Sequence, residues 1–167
     1  MLYYILYSNI AKGTKMKTCC FTGHRTIPKS DEEKLKNDLY STIFRLISEG
    51  YDEFICGGAR GFDTLCGIFV LAAKNKYPHI KLRLIIPCAD QDNNWNEHDK
   101  LLYRYLLERA DSKEVLHEVY VRGCMHERNR KMVDASSVCI AYLKKDFGGT
   151  KFTVDYARKK KIKVILL

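Results

Sequence analysis

At 167 residues, 46% of them hydrophobic, the chain is long enough for one domain around one sizeable core and too short for two ordinary ones. Lys and Arg outnumber Asp and Glu by 29 to 20, and the resulting +9 favours anionic partners such as nucleotides or nucleic acid. No segment reads as a membrane span or secretory leader, and an odd count of seven cysteines with no C-x-x-C pair argues against a disulfide framework or structural zinc site.

The first 15 residues are apolar and tyrosine-rich, without the basic leader or cleavage site of a signal peptide. They read as an N-terminal extension or an added edge strand, with one domain over residues 16–167 and a cytoplasmic location expected. Residues 17–22 form a first buried strand that ends in Thr22, Gly23, His24 and Arg25, a polar loop carrying a hydroxyl, an imidazole and a guanidinium. Ser30 and Glu33 have capping-box spacing, and Leu35, Leu39, Ile43, Leu46 and Ile47 then recur at helical spacing up to Gly50.

A second strand at residues 53–56 enters Gly57-Gly58-Ala59-Arg60-Gly61-Phe62-Asp63. Three glycines in five positions let the backbone take positive φ and approach a ligand, and the helix that follows offers unpaired amides to a phosphate or carboxylate. A ligand-free strand-to-helix turn would use the same glycines. Arg60 favours the binding reading, because a guanidinium beside such a cradle suits bidentate contact with an oxyanion. Asp63 has two readings, a helix-start cap or an acceptor for ribose hydroxyls. The pattern does not match the dinucleotide fingerprint G-x-G-x-x-G, so no cofactor is implied.

Leu65, Phe69, Ala72 and Ala73 mark the next helix, and residues 82–87 a strand covered on both faces. Asn94 and Glu97 are spaced as a second capping box before a helix bearing Leu101, Leu102, Tyr105 and Leu106. Trp95 is placed either to stack on a base or to pack that helix onto the sheet. Residues 115–121 read as a strand, 125–134 as a basic helix with Arg128 and Asn129, and 137–142 as a strand. Gly148-Gly149-Thr150 opens the last helix, and residues 162–167 close the sheet. The basic run from Arg158 to Lys161, with Lys163, reads as a solvated helix end. Cys19, Cys20, Cys56, Cys88 and Cys139 lie in or at the ends of strand-like runs and read as reduced core thiols.

Strand and helix alternate throughout, so the expected fold is a single Rossmann-like α/β domain, a mostly parallel sheet with helices on both faces. The loops at 22–25, 57–63, 87–95 and 146–150 all follow strands and should share one rim.

Phe21-Thr22-Gly23-His24-Arg25, the glycine loop, Arg128-Asn129, Met132-Val133-Asp134 and Gly149-Thr150 together resemble the YpsA-like branch of the SLOG superfamily. These Rossmann-like proteins are related to the DNA-processing protein DprA and to the LOG phosphoribohydrolases, and the resemblance runs from residue 17 to the C-terminus. It implies a pocket for a nucleotide or nucleotide-derived ligand at the glycine loop and at Gly149-Thr150. LOG enzymes carry P-G-G-x-G-T-x-x-E with a catalytic glutamate; here Thr153 stands at that spacing, and Asp155 lies roughly 200° around the helix from it. A non-catalytic sensor or regulator is therefore expected. The rivals are a hydrolase using His24, Asp63 or Asp134, and single-stranded nucleic-acid binding, the latter weakened because aromatics are not interleaved with basic residues along the chain. No metal site is expected, and a homo-oligomer is left open.

Overall fold

The computed structural model describes residues 16–167, so the extension at residues 1–15 lies outside the described residues. Six strands, β1 (Lys17–Gly23), β2 (Tyr51–Cys56), β3 (Lys81–Ile86), β4 (Ser112–Val115), β5 (Val138–Tyr142) and β6 (Lys163–Leu166), alternate with five helices. The helices are α1 (Lys29–Ser48), α2 (Phe62–Lys74), α3 (Glu97–Arg109), α4 (Cys124–Asp134) and α5 (Gly149–Lys159). All strand pairs are parallel, in the order β4-β3-β2-β1-β5-β6. The order reverses between β1 and β5, the position at which such sheets leave a crevice.

The strands are apolar on both faces because both faces are covered. Cys19, Phe21, Phe54, Cys56, Leu82, Leu84, Ile86, Val138, Ile140 and Tyr142 point into the larger core, which α1, α2 and α3 complete. Their alternates Cys20, Ile55, Ile85 and Cys139 meet Met132 and Val133 of α4 and Ala157 of α5 on the opposite face. All seven cysteines are buried and unbridged. Among the described residues no helix is long and apolar enough to cross a membrane.

Several local expectations change. Helix α1 starts after Pro28 with no side-chain cap, and Ser30, already inside the first turn, donates instead to Asp31. Helix α3 is capped by Asn96, whose side-chain oxygen accepts from the Asp99 amide at 2.8 Å, not by Asn94 with Glu97. Its buried stripe is Tyr103 and Leu106, while Leu101 is 62% exposed and Arg109 covers the exposed ring of Tyr105. Helix α3 presses on the core over a narrow line where Gly67 brings α2 close, since a Cβ there would stand 3.0 Å from Leu106. In α2 the inward residues include Phe62, Cys66, Val70 and Ala73, with Ala72 exposed.

The strand expected at residues 115–121 is instead the short edge strand β4, ending at Val115. Beyond it the Leu116 amide still bonds the Ile86 carbonyl, and then the chain leaves the sheet edge with Val119, Tyr120 and Val121 exposed. Alternating valines look like a strand, but the segment must cross the end of the sheet to reach α4, so no neighbour is there to pair with it.

Candidate functional site

A cavity of about 790 Å³ opens at the carboxyl ends of the strands around the β1–β5 reversal. Thr22, Gly23, His24 and Arg25 reach it from the end of β1, Ala59 and Asp63 from the loop after β2, Arg128 and Asn129 from α4, and Gly149 and Thr150 from the start of α5. Gly57, Gly58, Arg60, Gly61, Trp95 and Gly148 do not line it.

The glycine loop is closed on itself. Asp63 accepts from the Gly57 amide at 3.0 Å and the Ala59 amide at 2.9 Å, so a carboxylate of the chain already occupies the cradle that a phosphate was expected to fill. The Phe62 amide bonds the His24 carbonyl, Gln91 donates to the Gly58 carbonyl, and Thr64 donates to the Ala59 carbonyl. The glycines serve close protein packing. Gly58 has φ +66°, and a Cβ on it would lie 2.8 Å from Ile86 and 2.9 Å from Tyr103, so a branched residue there would disturb the fold as well as any ligand.

Burial pushes the Asp63 carboxyl above its ordinary range, while the Arg128 charge and the loop amides pull it back. Arg128 is only 6% exposed. Its Nη1 donates to the Gly57 carbonyl and its Nε to Asn129 Oδ1 at 2.7 Å. Asn129 Nδ2 then donates to Thr153 Oγ1 at 2.8 Å, and that hydroxyl donates to the Gly149 carbonyl at 2.7 Å. One run of polar contacts thus ties the glycine loop to the start of α5. Thr153, which stands where the glutamate spacing falls, is buried structure.

Arg60 and Trp95 meet away from the cavity, where Arg60 Nε is buried without a hydrogen-bond partner among the described residues. The guanidinium sits 5.6 Å from the Trp95 ring and 3.7 Å from Asp99, and the indole packs on Tyr103 with ring centres 5.4 Å apart. The loop at 87–95 accordingly backs the glycine loop and does not share the cavity rim. Asp134 ends α4, accepting from Tyr156 and paired with Lys160, both at 3.0 Å, outside the cavity.

His24 accepts the Lys144 amide on Nε2 at 2.8 Å, which fixes the neutral ring with its proton on Nδ1. Burial first and the Lys145 charge second hold its pKa below 6.5. Lys144 and the edge of Tyr142 also face the ring. A histidine whose folded pKa is depressed gives stability that is complete above the unfolded value and is lost as pH falls through the folded one. The protection factor of the Lys144 amide in hydrogen exchange is therefore expected to fall as pH drops below 6.5, and to lose that dependence in His24→Asn. Protection unchanged with pH in the unmodified protein would show that the ring nitrogen is not the acceptor.

Sequence reasoning missed Tyr120, Arg122, Gly123, Met125, His126 and Arg130, which also line the cavity. The strand reading of 115–121 hid Tyr120, while Met125, His126 and Arg130 lie in the helix expected over 125–134, where Arg128 and Asn129 alone were singled out. The available signal was Arg122-Gly123 ahead of a helix, a glycine opening like that of Gly148-Gly149-Thr150. Gly123 and Gly148 indeed precede α4 and α5 with φ +90° and +88°, and neither helix has a side-chain cap.

Thr150 and Thr22, 7% and 8% exposed, line the cavity with hydroxyls that have no protein partner among the described residues. With the open amides of Gly149 and Thr150 they present a converging set of donors. Arginine side chains surround them, and Asp63, the single carboxylate of the wall, has both oxygens engaged.

The chain is 34% identical over 139 residues to the SPbeta prophage-derived protein YoqJ of Bacillus subtilis strain 168, covering 75% of this chain and 81% of that protein. It is 30% identical over 152 residues to a UPF0398 protein of Bacillus pumilus strain SAFR-032, covering 85% and 82%. DNA processing protein A from Helicobacter pylori shares the fold at 17% identity with a TM-score of 0.61, over 90% of this chain and 64% of that one. The structural-genomics target TM1055 does so at 17% identity and a TM-score of 0.54, over 89% and 72%. The YspA SLOG family model matches residues 19–164, nearly the whole of the described fold, and the chain belongs to that family.

Proposed function

We propose that the cavity binds a nucleotide or nucleotide-derived ligand and that the protein acts as a sensor or regulator without turning the ligand over. The observation that carries this reading is the open start of α5, where the amides of Gly149 and Thr150 and the buried Thr150 hydroxyl face the cavity with no protein acceptor or donor to satisfy them. A phosphoryl group there meets backbone donors and the positive end of the helix dipole. Arg25 and Arg130 supply charge, and the Nδ1 proton of His24 is a donor for a sugar or base.

The groups offered for hydrolysis argue against turnover. His24 uses its lone pair on the Lys144 amide, both Asp63 oxygens hold loop amides, and Asp134 lies outside the cavity. For His24 this leaves no free lone pair for a general base, while the Asp63 carboxylate, which keeps further lone pairs, is committed to holding the loop. The test is native mass spectrometry of gently purified protein, then calorimetry with nucleoside monophosphates. Thr150→Val should weaken binding about tenfold, the cost of one charge-assisted hydrogen bond, and chromatography should show no free base above background. Binding unaffected by Thr150→Val removes α5 from the site, and released base that ceases in His24→Ala establishes the hydrolase reading.

A second reading rests on a surface that adjoins the cavity and shares His126 and Arg130 with it. Helices α4 and α5 bring together aromatics and cations that the sequence keeps apart. The His126 and Phe152 rings lie 4.2 Å apart, Phe152 and Tyr156 6.4 Å, with Arg130 over Phe152 and Lys160 over Tyr156. Rings flanked by cations suit unpaired bases, and the structure of DNA processing protein A concerns that protein's single-stranded DNA binding. Oligodeoxynucleotide binding that is lost in Phe152→Ala while mononucleotide binding persists would favour this surface.

A further inference from the structure

At the start of α5 the open amides are joined by two buried hydroxyls, those of Thr150 and Thr22, which face the cavity without a partner among the described residues. The cavity wall itself does not hold these donors in place. Gly148 takes φ +88° with no side-chain cap on the helix, and a Cβ on Gly148 or Gly149 would meet nothing within 4 Å. Two successive glycines in open space leave the first peptide of the helix free to swing. The restraint comes from behind, from Thr153, which is 2% exposed and does not line the cavity.

Chemistry fixes the direction of each hydrogen bond in this run. The Arg128 guanidinium can only donate, so its Nε meets Asn129 Oδ1 and leaves Asn129 Nδ2 turned to Thr153. Nδ2 can also only donate, so Thr153 Oγ1 accepts from it and sends its own proton to the Gly149 carbonyl. A charged donor at the head of such a run polarises the later bonds in the same sense. The Gly149 carbonyl and the Thr150 amide are the two ends of one planar peptide, so a hydroxyl that holds the carbonyl also aims the amide.

We propose that Thr153, oriented by Asn129, is a positioning residue of the ligand site: it does not touch the ligand, and it sets affinity by aiming the Gly149–Thr150 peptide at the bound phosphoryl group. This rests on the nucleotide reading above and adds to it the residues that prepare the site.

Thr153→Val and Thr153→Ser separate this role from packing. Valine keeps the volume and loses the hydroxyl, whereas serine keeps the hydroxyl and loses the methyl. Both should lower the urea midpoint, valine because Asn129 Nδ2 loses its acceptor and serine because a buried methyl is removed. Calorimetry would use the 5′-monophosphates of the four common nucleosides. The preferred one should bind about fivefold more weakly to Thr153→Val, the equivalent of one neutral hydrogen bond, and within about twofold of the unmodified affinity to Thr153→Ser. Asn129→Ala should weaken binding by a similar factor, and adding it to Thr153→Val should cost little more, because both act through one peptide. Affinity that follows the urea midpoint in both Thr153 variants, unchanged affinity in Thr153→Val, or penalties that multiply in the double variant would each overturn the positioning role. Binding that Thr150→Val weakens and Thr153→Val does not would leave the nucleotide reading standing alone, and binding of none of the four monophosphates would overturn both.

Discussion

Gly57→Ala is expected to destabilise the protein by about 3 kcal/mol, an effect out of proportion to one methyl group. A Cβ at this position would stand 1.9 Å from Nη1 and 2.5 Å from Cζ of Arg128. The guanidinium would have to leave the Gly57 carbonyl, its hydrogen-bond acceptor, from a position where it is almost fully buried. Losing a charged hydrogen bond costs about 1.5–3 kcal/mol, and overpacking adds about 1–3 kcal/mol. The displacement would pass through Asn129 and Thr153 to Gly149, so the start of α5 should loosen as well. Gly149→Ala is the matched control, because a Cβ there meets nothing within 4 Å. Urea unfolding of the two variants measures the difference, and a Gly57→Ala midpoint as close to the unmodified protein as that of Gly149→Ala would refute this account of the loop.

The order and type of the elements were readable because both faces of this sheet are buried, so strands such as residues 82–87 appear as unbroken apolar runs. Helix starts were less readable, since α1 starts after Pro28 with no side-chain cap at all, and Asn96 has the same capping chemistry as the nearby Asn94. The glycine loop was recognisable as a turn from strand to helix, but the satisfaction of its amides depends on where Asp63 points. Sequence spacing allows that carboxylate to cap a helix, face a ribose or fold back, and it folds back. Arg60 was drawn toward a ligand on the strength of its neighbours, yet the indole of Trp95, remote in sequence, is a partner that needs no ligand. Tyr120 was lost to a misread edge: β4 stops where its pairing partner stops, which hydrophobic alternation does not record.

Asp63→Asn tests whether the loop is held by charge or by shape. The two side chains are nearly isosteric, so no cavity forms, but an amide offers one oxygen where Asp63 uses two, and its NH2 must face the amide of Gly57 or Ala59. The substitution also removes the negative charge nearest Arg128. Breaking one member of a buried charged set costs about 3–5 kcal/mol, but burial already raises the Asp63 carboxyl against its own ionisation, so the net loss should sit lower, at about 2 kcal/mol. A companion Arg128→Met change separates the contributions. If charge dominates, Asp63→Asn should cost much less in the Arg128→Met background than alone, because the uncompensated guanidinium is gone. If backbone satisfaction dominates, the cost should be the same in both backgrounds. Since Asp63 bonds the amide of Gly57 and Arg128 the carbonyl of the same residue, the first outcome is expected, with at least 1 kcal/mol of coupling in denaturant unfolding. Strictly additive losses would mean that the glycine loop keeps its shape independently of the arginine, and that α4 and the loop are joined only through packing.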